Sequence, residues 1–106
     1  MKAISSEEIL TIMRQFNRRN EERGIRLIGL FGSYARDEAS DFSDIDIAYR
    51  IDHSRFYPDN AFRKLEALQE IRRLLERDLR HKVDLIPYPQ KDHPLYQRLQ
   101  KELISA

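Results

Sequence analysis

The sequence predicts a small α+β domain in which a mixed β-sheet carries helices packed on one face. The chain has 106 residues, of which 41% are hydrophobic, enough for the single core of one domain spanning residues 1–106. Apolar residues switch between helical spacing and short strand-like runs along the chain. The predicted elements are helix 5–23, strand 25–31, a helical turn at 33–37, strand 44–49, helix 60–80, strand 83–87 and helix 93–104.

The first helix begins at a capping motif. Ser5 is the predicted N-cap, and Glu8, three residues later, is its capping-box partner. Gly24 is placed to end this segment in the left-handed conformation. The apolar face of the helix is formed by Ile9, Ile12, Met13 and Phe16.

The stretch LIGLFGS predicts a short buried strand followed by a sharp turn. Gly29 marks a point in the strand where another backbone can pass closely. Gly32 has no Cβ, so the chain can turn there and bring main-chain N–H groups close to a ligand. Ser33 adds a hydroxyl at the start of a helical turn, whose unpaired amides suit a phosphate group.

The stretch DIDIAY predicts a half-buried strand with two carboxylates on one face. Ile45 and Ile47 alternate with Asp44 and Asp46, so the two acids project together from the side opposite the two isoleucines. Neighbouring carboxylates repel each other, and a hard divalent cation relieves that repulsion. A phosphate-binding turn beside a pair of acids predicts a site that handles nucleotides.

These residues resemble the signature of the DNA polymerase beta-like nucleotidyltransferase superfamily: Gly32-Ser33, a ten-residue spacer, then Asp44-x-Asp46. The strings LFGSYAR and SDIDI are similar to those of its small stand-alone members, the minimal nucleotidyltransferases. In prokaryotes these are typically paired with a HEPN-domain protein as the antitoxin half of a toxin–antitoxin module. Many relatives carry Gly where this chain has Asp37. The resemblance implies the small nucleotidyltransferase fold.

A polar segment, 50–60, is expected to be a mobile loop, after which Asp59 or Asn60 caps the long helix. The predicted apolar face of that helix is Phe62, Leu65, Leu68, Ile71, Leu75 and Leu79. Its end carries a basic run of Arg72, Arg73, Arg77, Arg80, His81 and Lys82. Acidic residues interleave with this run and cations are favoured at a helix C-terminus, so helix-end charge is a simpler interpretation than a phosphate or RNA patch.

Asp84 stands inside the apolar strand 83–87, on the face opposite Val83 and Leu85. A carboxylate in such a strand is costly unless it is paired or bound to a metal, although an edge strand would leave it in water. Relatives supply their third catalytic carboxylate from a strand of this kind. The resemblance therefore implies a catalytic and metal-binding triad of Asp44, Asp46 and Asp84.

The C-terminal segment predicts a short amphipathic helix that covers the core, with Pro94 in its first turn. Its apolar residues, at a spacing of four, are Leu95, Leu99 and Leu103. The histidines show no zinc-ligand spacing and are interpreted as surface residues: His53, His81 and His93.

Composition limits the classes of function. The net charge is +1 and there is no cysteine, so no global field favours nucleic acid or an anionic membrane, and disulfides and thiolate metal sites are excluded. There is no Walker A motif and no GxGxxG motif. Neither a signal peptide nor a membrane span is recognisable, so we expect a cytoplasmic protein. The near-neutral net charge predicts no direct binding to nucleic acid.

The predicted chemistry is the transfer of a nucleoside monophosphate from a nucleoside triphosphate to a hydroxyl. Oxygen ligands select Mg²⁺, or Mn²⁺, and two such ions would clamp the attacking and leaving oxygens. The Gly32 amides and Ser33 would hold the triphosphate, and Asp84 would help remove the acceptor proton. Arg36 is a secondary candidate for a phosphate contact, with a salt bridge as the alternative.

The resemblance further implies ATP as donor and a HEPN-domain toxin as acceptor and hetero-oligomeric partner, with AMP added to a toxin side chain. Two alternatives stay open. A catalytically silent antitoxin would neutralise its partner by binding alone. An aminoglycoside-type enzyme would modify a small molecule, although those enzymes carry an additional domain that shapes the acceptor pocket.

Overall fold

A computed structural model describes residues 4–40 and 43–106, and its mixed order of helices and strands confirms the predicted α+β class. The helices are α1 (Ser6–Arg19), α2 (Gly32–Ala35), α3 (Ala61–Leu79) and α4 (Tyr96–Glu102), with a 3-10 helix at Glu21–Arg23. The strands are β1 (Ile25–Phe31), β2 (Ile45–Ile51), β3 (Val83–Pro87) and β4 (Ile104–Ser105). No helix in the described ranges is both long and apolar enough to cross a membrane.

The strands form one four-stranded mixed sheet in the order β3-β2-β1-β4. β1 pairs antiparallel with both β2 and β4, whereas β2 and β3 are parallel, with α3 in the connection between them. β3 and the two-residue β4 are therefore the edge strands. Because parallel strands align their starting ends, the beginnings of β2 and β3 meet the end of β1 at one side of the sheet.

The start of α1 agrees with the predicted capping motif, and Gly24 is left-handed as predicted, but the α-helix itself ends earlier. The Ser5 hydroxyl accepts a hydrogen bond from the Glu8 amide at 3.1 Å and donates to the Glu8 carboxylate at 3.1 Å. The predicted helix 5–23 was too long, because α1 ends at Arg19. The Asn20 side chain donates to the Phe16 carbonyl at 2.8 Å, which competes with continuation of the helix.

The main core lies between one sheet face and the two long helices, as predicted. It includes Ile9, Met13 and Phe16 of α1, Ile71, Leu75 and Leu79 of α3, and Leu27, Leu30, Ile45, Ile47 and Val83 of the sheet. A buried asparagine joins α1 to β1: Asn17 donates to the Leu27 carbonyl at 2.9 Å and accepts from the Leu27 amide at 2.8 Å. Pairing between β1 and β2 shifts register between Leu27 and Gly29, so Asn17 satisfies backbone groups at the irregularity.

The first turns of α3 correct the predicted apolar face. Asn60 caps the helix as expected, accepting from the Arg63 amide at 3.0 Å. Phe62 and Leu65, however, are 69% and 57% exposed. The buried stripe begins only at Ala67 and continues through Ile71, Leu75 and Leu79, so the first turns of the helix extend beyond the core.

The segment between β2 and α3 contributes to the core, which the polar composition did not predict. β2 runs to Ile51, and Phe56 is only 1% exposed. The Asp52 carboxylate accepts from the Ser54 amide at 3.0 Å and from its hydroxyl at 2.6 Å, while the Asp52 carbonyl accepts from the Phe56 amide at 2.9 Å. These bonds turn the chain so that Phe56 reaches the core.

The C-terminal segment differs from the predicted helix 93–104. Pro94 precedes the helix, α4 spans only Tyr96–Glu102, and the chain then extends as β4 beside β1. A Cβ at Gly29 would collide with the Ile104 carbonyl oxygen, so the predicted close backbone approach at Gly29 is confirmed. α4 lies on the sheet face opposite α1 and α3, where Tyr96, Leu99 and Leu103 pack against Phe31, Ala48 and Tyr88.

Candidate active site

Three sequence-predicted residues, Gly32, Asp46 and Asp84, meet at the side of the sheet where β1 ends and β2 and β3 begin. Phe31, the residue before Gly32, is the cross-strand partner of Asp46. Asp46 is in turn the register partner of Asp84 on β3. Asp44 directly precedes β2 and is exposed. The fold thus brings together the turn, the central acid and the acid from the third strand.

Gly32 and Asp46 are in direct contact, and that contact explains why this position is a glycine. Gly32 has a φ of 72°, a conformation that disfavours other residues. A Cβ there would also collide with Oδ2 of Asp46. Any larger residue would therefore strain the turn and displace the Asp46 carboxylate.

The charge on Asp46 is destabilised by its surroundings. Burial raises the pKa of the Asp46 carboxyl above its ordinary value, and the nearby charges of Asp84 and Asp44 raise it further. A side-chain hydrogen bond between Asp46 and Asp84 acts in the same direction, whereas the positive charge of Arg36 lowers this pKa. The two strand acids are therefore within direct interaction range of each other.

Asp84 lies on an edge strand and is exposed, which is the alternative placement that the sequence left open. It nevertheless faces Asp46, so exposure does not separate it from the site. Within residues 4–40 and 43–106, no three His, Cys, Asp or Glu side chains are gathered as a ready metal-binding group. The described geometry joins Asp46 to Asp84 and leaves Asp44 at the rim.

The residues still fit a hard divalent cation. Their donor atoms are carboxylate oxygens, the ligands that Mg²⁺ and Mn²⁺ prefer. The raised pKa of Asp46 reflects a local excess of negative charge with partial burial, which a bound cation would offset.

The helical turn after β1 is held by a contact that the sequence analysis did not identify. Tyr34 is buried, and its carbonyl accepts a hydrogen bond from the Ser6 hydroxyl at 2.7 Å. Its ring also meets His81 edge-on, with centroids 6.1 Å apart. An aromatic residue within an otherwise small and polar stretch was the available signal. Tyr34 fixes α2, and with it Gly32 and Ser33, against α1 and the end of α3.

The turn after β1 is closed by main-chain hydrogen bonds. The carbonyls of Gly32 and Ser33 accept from the Arg36 amide at 3.1 Å and the Glu38 amide at 2.8 Å. At the N-terminus of α2, no side chain of the described residues acts as a cap. Uncapped amides beside Gly32 and Ser33 can receive an anionic oxygen.

Arg36 forms a salt bridge, the alternative considered for it, and its phosphate contact stays a prediction. Its Nε donates to the Glu38 carboxylate at 3.2 Å, and both side chains are exposed. Its charge also lowers the pKa of Asp46, so it lies within electrostatic range of the acids. An exposed pair of this kind contributes little stability, which leaves the guanidinium able to exchange Glu38 for a phosphate oxygen.

Asp37 has a φ of 58°. Asp tolerates this left-handed conformation better than most residues, so Asp37 is compatible with the turn.

Comparisons with known proteins agree with this architecture. A family model described as "Nucleotidyltransferase domain" matches residues 8–105. A protein from Methanocaldococcus jannaschii named "Putative protein adenylyltransferase" is 33% identical over 106 residues, covering 98% of each chain. A second relative, "Protein adenylyltransferase MntA" from Thermococcus cleftensis, is 46% identical over 48 residues, 44% of this chain and 48% of that protein.

A solved structure described as a "putative minimal nucleotidyltransferase" shares the fold. The superposition has a TM-score of 0.67 and covers 95% of each chain at 22% identity. The family match over nearly the whole chain, the full-length relative and the arrangement of Gly32, Asp46 and Asp84 all agree. The chain belongs to the nucleotidyltransferase domain family.

Proposed function

We propose that this protein transfers AMP from ATP to a hydroxyl group of a partner protein, a HEPN-domain toxin, and thereby neutralises it. The observation that carries the transferase proposal is the contact of Asp46 with both Gly32 and Asp84. One contact joins an acid to the turn that we propose to bind phosphate, and the other joins it to a second acid. The names of the two curated relatives support a protein as acceptor and an adenylyl group as the group transferred.

In the proposed reaction the acceptor oxygen attacks the α-phosphorus of ATP. A new oxygen–phosphorus bond forms, the bond from the α-phosphorus to the bridging oxygen breaks, and pyrophosphate leaves with the electron pair. Asp84 accepts the hydroxyl proton, since it is exposed at the edge where an acceptor can approach. The Gly32 and Ser33 amides hold the phosphates, and Arg36 offsets their charge.

Asp44, Asp46 and Asp84 would hold Mg²⁺ or Mn²⁺ when the substrate is bound. Such ions supply charge neutralisation at the phosphates and a fixed in-line geometry. Asp44 would complete the set by turning its exposed side chain toward Asp46 and Asp84. Asp46 is already positioned by its contact with Gly32.

Substitution of Asp84 separates catalysis from nucleotide binding. Asp84→Asn is expected to reduce the rate of AMP transfer by about 100-fold or more, because the amide cannot accept the hydroxyl proton. Mg·ATP affinity should weaken only modestly, since Asp44 and Asp46 remain, whereas Asp44→Asn should lower both affinity and rate. The measurements are labelled-AMP transfer and calorimetric titration with Mg·ATP.

Asp92→Asn is the matched control, because Asp92 is an exposed acid outside the site. A wild-type rate for Asp84→Asn would refute the role of Asp84. A wild-type protein that suppresses the toxin without transferring AMP would instead establish the silent antitoxin. Transfer to aminoglycosides but to no protein would establish the small-molecule alternative.

A further inference from the structure

A depression at the free edge of β3 adjoins the candidate active site. It has a volume of about 600 Å³. Asp44 and Asp84 form one part of its lining, and Arg80 and Lys82 form another. It is therefore the space directly beyond the two exposed acids, on the side away from Gly32.

Lys82 is positioned by the sheet. Its carbonyl accepts from the Ile45 amide at 2.9 Å, which fixes the backbone immediately before β3. Val83 is the register partner of Ile45, so Lys82 lies across from Asp44. Because Lys82 and Asp84 are two residues apart in extended chain, their side chains share one face of the sheet.

Arg80 is held in an unfavourable backbone conformation. It ends α3 with a φ of 56° and a ψ of 35°, a left-handed position that glycine occupies most easily. A cation at a helix C-terminus is favourable, but that interaction does not require a left-handed arginine. Arg80 thus ends α3 at the edge of the depression.

Other cations of the run are already engaged. Arg72 donates to Glu76 at 3.0 Å, and Arg77 pairs with Asp78 at 3.3 Å. Glu76 also accepts from the Val83 amide at 3.0 Å. In the described parts of the chain, neither Arg80 nor Lys82 has a side-chain hydrogen bond or ion pair. The interpretation of the whole run as helix-end charge therefore fits Arg72 and Arg77 better than it fits this pair.

We propose that Arg80 and Lys82 form an acceptor-side subsite that binds carboxylates flanking the hydroxyl to be modified. The proposal rests on the function proposed above. In an in-line displacement the attacking oxygen approaches opposite the leaving pyrophosphate. With phosphates at the Gly32 turn, the acceptor enters from the edge of β3, where these two cations lie. Acidic residues around the hydroxyl would pair with them and orient it toward Asp84.

The test uses two series of fluorescein-labelled peptides without nucleotide. Both series contain peptides with a central Ser, Thr or Tyr. The central residue is flanked by four glutamates in one series and by four glutamines in the other. Fluorescence anisotropy at low salt should show tighter binding of the glutamate series, with affinity that falls as salt increases. Arg80→Gly and Lys82→Ala should each weaken this binding about tenfold.

Arg77→Ala is the matched control, since Arg77 is on the same helix but outside the depression, and it should bind the peptides like wild type. Arg80→Gly should keep or raise the melting temperature, because glycine relieves the left-handed conformation, so lost binding would not reflect unfolding. Arg80→Lys should recover part of the affinity.

Equal binding of the two peptide series, no measurable binding by wild type, or unchanged binding by Arg80→Gly and Lys82→Ala would overturn the proposal. A loss of Mg·ATP affinity in Arg80→Gly and Lys82→Ala, with peptide affinity unchanged, would also overturn the proposal. The two cations would then bind the nucleotide and not the acceptor. The peptide assay contains no nucleotide, so its result does not depend on AMP transfer. A failure of AMP transfer would therefore refute the proposed function without changing the interpretation of peptide binding.

Discussion

At the scale of single residues, Asp46 lies at the centre of the candidate site, and its surroundings disfavour its negative charge. The sequence predicted Gly32 and Asp46 as parts of one site, because each motif ends or begins a strand. It could not show that they touch, since that contact depends on the register of β1 against β2. Asn17 and Ser6 were missed for a similar reason: their partners, Leu27 and Tyr34, are brought close only by the tertiary fold.

Asp46→Asn should stabilise the metal-free protein at neutral pH. The pKa of Asp46 is raised above its ordinary value of 3.8, mainly by burial and then by Asp84 and Asp44. Folding therefore favours the protonated form, and ionisation of Asp46 lowers the free energy of unfolding as pH rises through this range. Melting temperatures of wild type and variant should differ most at pH 7 and converge below the ordinary value. Equal melting temperatures at pH 7 would contradict this.

Asp37→Gly should also raise stability, by up to about 1 kcal/mol, because glycine adopts the left-handed conformation without steric cost. The φ of 58° at Asp37 is the basis of this expectation. Urea denaturation measures the change, with Asp37→Asn as a control that should stay near wild type. Destabilisation by glycine would show that the Asp37 side chain stabilises the turn.

At the scale of elements, strongly periodic segments were predictable and irregular ones were not. α1, β1, β2, α3 and β3 follow clear patterns of apolar residues and were located correctly, although the predicted ends of α1 and β2 were wrong. β4 is only two residues long, so it has no pattern of its own, although Gly29 signalled that a backbone would pass there. Phe62 and Leu65 fit the helical period of α3, but periodicity does not show where the neighbouring sheet ends.

Two phenylalanines near the start of α3 provide a direct test. Phe56→Ala should lower the free energy of unfolding by about 3–5 kcal/mol, because it leaves a cavity in the core. Phe62→Ala should change it by less than about 0.5 kcal/mol, since Phe62 is 69% exposed whereas Phe56 is 1% exposed. Chemical denaturation of both variants measures the difference. Similar losses for both would contradict the described packing of this segment.

At the scale of the whole molecule, the sheet face opposite α1 and α3 has three parts. Asp46 and Asp84 lie at one end, and the middle is covered by α4. At the other end Arg26 and Arg50 are direct cross-strand partners, and the Arg50 guanidinium lies 5.2 Å from the centre of the Tyr88 ring. This face is therefore open at its acidic end, while the C-terminal helix covers its centre.

The proposed function requires a protein as acceptor, so we expect a stable complex of this chain with a helical partner protein encoded beside it. Asp44 and Asp84, two of the candidate catalytic acids, are exposed and therefore accessible to such a partner. Co-expression followed by size-exclusion chromatography should give one co-eluting species. Two separate monomeric peaks at micromolar concentration would count against the complex.

The parallel pairing of β2 and β3 has a consequence for the order in which the site is assembled. Gly32 and Asp46 belong to the antiparallel pair β1 and β2, whose contacts are comparatively close in sequence. Asp84 and Asp46 are far apart in the sequence and meet only when the connection through α3 has folded. Contacts of such long sequence separation form slowly. We therefore expect the contact between Gly32 and Asp46 to form earlier in folding than the contact between Asp46 and Asp84. A partly folded chain would then lack the acid of β3 at the candidate site.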